Sequence, residues 1–155
     1  MYSKAEASKI RERFWTKFGQ YMQPVPFSTG EKLNWVNYKT GVKGIRFTMQ
    51  AESKFAAVEI QISHPDHIKR KKALAVLDSF IPELQASTGT NWIKEEAAFF
   101  DGKHISVVRS RIDNLSVFRE SDWPLCIGFF KSALIAFDQL WPDHKDIVEM
   151  IFNAG

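Results

Sequence analysis

A chain of 155 residues with 45% hydrophobic and 25% charged residues has the size and composition of one soluble globular domain with a real core. Its single cysteine, Cys126, excludes an internal disulfide and sits in an apolar, helix-like context that suits a structural role. The net charge of +3 is unevenly spread: residues 1–50 hold nine Lys/Arg against three Glu, whereas residues 101–155 hold six against eight acids.

The first residues contain no apolar stretch of signal type. The longest apolar run, residues 125–137, is interrupted by Lys131 and is too short to span a bilayer, so the expectation is a cytoplasmic protein with no membrane partner. Residues 3–22 carry Ile10, Phe14, Phe18 and Met22 at every fourth position with cations between them, the period of an amphipathic helix, and Pro24 and Pro26 end it. Phe27 to Gly44 reads as a loop in which Gly30, Gly41 and Gly44 permit unusual backbone angles. This loop gathers Lys32, Trp35, Asn37, Tyr38, Lys39 and Lys43 ahead of Arg46. Two readings stand side by side. Trp35 and Tyr38 are hydrophobic anchors that pin the loop to the core, or they stack on bases while the cations meet phosphates.

Ile45, Phe47, Met49 and Ala51 alternate with polar residues, and so do Ala56, Val58, Ile60 and Ile62. Both runs have the period of a strand. A tight hairpin about Ser53-Lys54 pairs Ile45 with Ile62, Phe47 with Ile60, Met49 with Val58 and Ala51 with Ala56. A one-residue slip would oppose apolar to polar rows, so the pattern determines the register. The other face then carries Arg46, Thr48, Gln50, Glu59 and Gln61, with Arg46 diagonal to Glu59 and in ionic reach.

A second helix follows, with Pro65 and Asp66 at its start and Leu74, Leu77, Ile81 and Leu84 at helical spacing before Gly89. The basic run 69–72 occupies its first turns and reads as a solvated face. Residues 91–113 read as a second hairpin about Asp101-Gly102. A two-residue turn opposes Phe99 to His104, and a three-residue bulged turn opposes Ala97 to Ile105; the pattern supports both. Ser121 as cap and Pro124 in the first turn open a third long helix with a stripe of Leu125, Phe129, Ala133, Ala136 and Leu140, and Pro142 precedes a short final helix at Ile147, Val148 and Ile151. The order α-ββ-α-ββ-α, two antiparallel hairpins alternating with helices, defines a single α+β domain with the helices packed on one face of the sheet.

Candidate chemistry is sparse. Glu59-Ile60-Gln61 on a strand looks like the E-x-K or E-x-Q element of restriction-type nucleases, which makes Glu59 and Gln61 the catalytic candidates, yet the preceding strand offers no second carboxylate to hold Mg²⁺. His64 and His67 lack the further ligands of a metal site. Ser63 beside His64 and Ser106 near His104 are neighbours without the setting of a nucleophile. No phosphate loop occurs, and no cofactor or metal is expected.

The segments "RERFWTKFGQY", "WVNYKTGVKGIRFTMQAESKFAAVEIQI", "KALAVLDSFIPEL", "WIKEE" and "SDWP" together resemble the bacterial family called domain of unknown function 4268, over nearly the whole chain. Its second strand typically reads like "VELYI", and Val58-Glu59-Ile60-Gln61-Ile62 takes its place here, with Gln61 where that pattern has a bulkier residue. The resemblance implies an α+β domain that stands alone or follows a restriction-nuclease-like module, and it supplies no catalytic residues. The resulting expectation is a non-catalytic binding domain that meets DNA or RNA through Lys32, Trp35, Asn37, Tyr38, Lys39, Lys43 and Arg46, or a nuclease-type partner protein. The alternatives are an Mg²⁺-dependent nuclease centred on Glu59 and an interaction module that forms a homodimer through exposed aromatic surface.

Overall fold

The computed structural model describes residues 2–30 and 34–154. Helix α1 (Lys4–Met22) starts where the Ser3 hydroxyl accepts the Glu6 N–H at 3.1 Å, and it buries Phe14, Phe18 and Met22 as its four-residue spacing predicts. Strands β1 (Ile45–Ala51) and β2 (Phe55–Ile62) pair in the expected register, Ile45 to Ile62 through Ala51 to Ala56.

The expected second helix is two helices, α2 (His67–Asp78) and α3 (Ile81–Thr88). The break has a local cause, since Pro82 has no N–H to give and its ring would clash with the carbonyl four residues back, at Asp78. Strands β3 (Trp92–Phe100) and β4 (Lys103–Asp113) form the second hairpin. Asp101 and Gly102 both take positive φ, 50° and 75°, as a two-residue turn requires, and Phe99 opposes His104. The register then shifts between Glu95 and Ala98, so that Glu95 faces Val107. The Ser106 hydroxyl, bonded at 2.6 Å to the carbonyl of Glu96, secures this bulge.

Helix α4 (Trp123–Leu140) is preceded by a 3-10 turn that contains Ser121, and Asp122 rather than Ser121 precedes its first residue. Its core face is also rotated from the expected stripe. Phe129, Ala133 and Ala136 of that stripe are buried as expected, but Leu125 is 60% exposed, and Cys126, Phe130, Leu134 and Phe137 join the buried side. Burial pushes the Cys126 thiol up to about 11, which suits a packing role. A final helix α5 (Lys145–Asn153) covers the end of β2 through Phe152 against His64.

The sheet order is β1-β2-β4-β3, all antiparallel, with helices gathered on one face. That face carries Phe47, Ile60, Val108 and Trp92 into one core with the aromatic side chains of α1 and α4. The opposite face carries Arg46, Thr48 and Gln50 of β1, Glu59 and Gln61 of β2, Val107, Arg109 and Arg111 of β4, and Ile93 and Glu95 of β3.

Phe137 touches Tyr38, Phe47, Phe80 and Trp141. Phe137→Ala is therefore expected to cost about 3–5 kcal/mol in urea unfolding. Leu125→Ala, on the exposed side of the same helix, is expected to change stability by no more than about 0.5 kcal/mol.

Candidate functional site

The segment between α1 and β1, the entry loop, is held to the core by Asp138, a buried carboxylate in the last turn of α4. Its Oδ1 accepts the Tyr38 hydroxyl at 2.7 Å and its Oδ2 accepts the Ser28 N–H at 2.8 Å, while the Ser28 hydroxyl donates to the Asp138 carbonyl at 2.7 Å. A carboxylate at a helix C-terminus opposes the helix dipole, and these donors offset that cost. Trp35 is 4% exposed, stacked on Phe27 at 3.9 Å, with its indole N–H on the carbonyl of Val25. Trp141 closes the arrangement by donating to the carbonyl of Thr40 at 2.7 Å.

Trp35 and Tyr38 are thus anchors, and their rings are spent on core contacts rather than offered to bases. This corrects the stacking expectation for both. The anchoring leaves Asn37 exposed in a turn and Lys39 exposed between buried Tyr38 and Thr40. Positive φ at Gly41 and Gly44, 78° and 100°, turns the chain into β1. The result is a cleft of about 360 Å³ lined by Asn37, Lys39, Lys43 and Arg46 together with the backbone of Thr40 and Gly41. Three cations line it, and no Asp or Glu does among the described residues. Lys32 lies outside the described residues.

On its other side the same loop borders a second cleft, of about 280 Å³, where Thr29 and Lys39 meet Lys145. The Lys145 ammonium lies over Gly41 so closely that a Cβ there would come within 2.6 Å of Nζ. Sequence reasoning missed Lys145, and no local signal marks it, since it reaches this place only when α5 docks against the loop.

Glu59 and Gln61 lie on the helix-free face. The Gln61 amide donates to Glu59 Oε1 at 2.9 Å and is itself buried between its neighbours. The expected ion pair of Glu59 with Arg46 does not form among the described residues; Arg109, directly opposite on β4, takes the carboxylate instead. Arg109 Nη1 lies 4.0 Å from Glu59 and 2.9 Å from Glu95. A second carboxylate thus does share the face with Glu59, contributed by β3 rather than β1. The guanidinium stands between the two acids, where a nuclease places its divalent cation, so this donor set does not fit that metal. No group of three or more metal-ligating side chains occurs among the described residues.

At the start of α2, the Asp66 carboxylate accepts the N–H groups of Lys69 and Ile68, which holds it below the usual carboxylate range. The His64 ring accepts the Asp66 N–H, and His67 faces Glu96. The basic run is not wholly a solvated face, because Arg70 is 6% exposed and donates to the carbonyls of His64 and Pro65.

These features define a class: an α+β domain with helices on one side of a four-stranded antiparallel sheet, a face of charged and polar side chains around buried Ala57, Gln61 and Val107 on the other, and a cationic cleft at one corner. The chain belongs to the family described as domain of unknown function DUF4268, whose model matches residues 10–145. No curated protein and no solved structure matches it. No helix among the described residues is long and apolar enough to cross a membrane.

Burial, with the hydrogen bond to Asp138 and its charge, holds the Tyr38 phenol well above its ordinary range. The unfolded chain releases this proton from about pH 10, whereas the folded chain retains it. The stability it contributes is therefore fully present below about pH 10 and is lost above it, at about 1.4 kcal/mol per pH unit. Tyr38→Phe is expected to cost about 1–2 kcal/mol at pH 7 and to remove that alkaline slope, as read by urea unfolding from pH 7 to 11.

Proposed function

We propose that the protein is a non-catalytic nucleic-acid-binding module whose phosphate contacts lie in the cleft of Lys39, Lys43 and Arg46. One observation carries the reading: three exposed cations converge on a concavity with no lining acid among the described residues, held there by a loop whose aromatic residues are committed to anchoring it. Unpaired cations at a concave corner favour a polyanion, because each phosphate neutralised releases condensed counterions. The amide of Asn37 and the positive-φ backbone at Gly41 add hydrogen-bonding groups beside the ammonium groups.

Catalysis is not part of this proposal. Glu59 is engaged by Arg109 and Gln61, and neither neighbour favours activation of a water. On this reading any cleavage chemistry belongs to a nuclease-type partner, and the domain contributes placement on the strand.

Binding to labelled DNA and RNA oligonucleotides is expected to weaken steeply with salt. Replacing Lys39, Lys43 and Arg46 together by Gln is expected to reduce the slope of log K against log salt by about 2 for single strands, at roughly 0.7 per phosphate contact. Fluorescence anisotropy across a salt series measures both quantities, and salt-independent or absent binding overturns the proposal. The same oligonucleotides are expected to survive incubation with Mg²⁺ intact.

A further inference from the structure

The cationic cleft is continuous with the helix-free face through Arg46, which belongs to both. The rows of that face follow from the pairing. Arg46, Gln61, Val107 and Glu95 form one row, Thr48, Glu59, Arg109 and Ile93 the next, and Gln50, Ala57 and Arg111 a third, with Phe55 opposite Asp113 beyond it.

Arg111 lies with its guanidinium carbon 3.9 Å from the centroid of the Phe55 ring, and its Nε donates to Asp113 at 2.7 Å. The pair makes a flat platform whose charge is already met, and the Arg111 side chain remains 54% exposed. Beside it, Ala57 rises little from the sheet and Gln50 is exposed. The central row is different in character, with one guanidinium between two carboxylates.

We infer that this face takes a single-stranded nucleic acid, with one base stacked on the Arg111–Phe55 platform and the backbone leaving through the Lys39–Lys43–Arg46 cleft. The inference rests on the nucleic-acid reading above and names the form of the ligand. Guanidinium planes and aromatic rings are stacking surfaces for unpaired bases, and duplex bases are closed to them. The carboxylates beside Arg109 repel a phosphate laid across the centre and accept amino groups from base edges, so the backbone of a single strand runs along β1, past Gln50, Thr48 and Arg46, a strand that carries no acid. Strand geometry puts Arg111 roughly 16 Å from Arg46, four residues along and two strands across, a span of a few nucleotides.

The test compares a 12-nucleotide oligo-dT, a 12-nucleotide oligo-rU and a 12-base-pair duplex by anisotropy, using the whole chain and the variants Arg111→Lys and Phe55→Leu. Arg111→Lys retains the charge and loses the plane. It is expected to weaken single-strand binding roughly five- to hundredfold with the salt slope unchanged, and Phe55→Leu to act in the same direction. The order of the two single strands tells whether DNA or RNA is preferred. Duplex binding as tight as single-strand binding, or an Arg111→Lys variant that binds like the parent, overturns the inference while the cleft reading stands. Failure of every oligonucleotide to bind overturns both.

Discussion

Asp138 ties together parts of the chain that are 100 and more residues apart, and the rest of the candidate surface depends on it. Its two oxygens take the Tyr38 hydroxyl and the Ser28 N–H, so the start and the middle of the entry loop are bound to the last turn of α4. A buried carboxylate is tolerated only when its lone pairs are met, and both partners come from a segment with no regular secondary structure of its own. The requirement runs both ways: α4 needs donors for Asp138, and the loop needs an acceptor fixed in space. That mutual dependence converts an irregular stretch into a defined wall and leaves Lys39, Lys43 and Arg46 directed at one cleft.

The two faces of the sheet divide the work. One is apolar because strand alternation places Phe47, Ile60 and Val108 together, and the helices cover it. The other remains free of helices and organises its charges across strands, with Arg109 between Glu59 and Glu95 and Arg111 over Phe55. Groups paired across strands in this way are poor candidates for acid-base chemistry.

Much of the architecture was legible in local pattern. The four-residue spacing of α1, the turn residues Asp101-Gly102 and the register of β1 with β2 were read correctly, because each depends on neighbours within a few positions or across one tight turn. The structure departs from the pattern, or decides between its alternatives, where a second influence competes with the period. Pro82 splits an otherwise continuous helical pattern, the register of the second hairpin, which the pattern leaves open, follows the two-residue turn up to Ala98 and shifts at the bulge of Glu96 and Ala97, and α4 turns a nearly all-apolar sequence so that Leu125 faces outward. When almost every position is apolar, periodicity cannot select the buried side, and only the packing partners do.

The candidate surface divides in the same way. The cationic composition of the entry loop and the polar row on β1 and β2 were determined by the sequence itself, since side-chain alternation along a strand is a property of the backbone. Which aromatic rings turn inward, which arginine answers Glu59, and that Lys145 lies over Gly41 were decided only by the tertiary structure. Those contacts join residues separated by tens of positions, and no pattern along the chain encodes a distance that exists only after helices and sheet have packed.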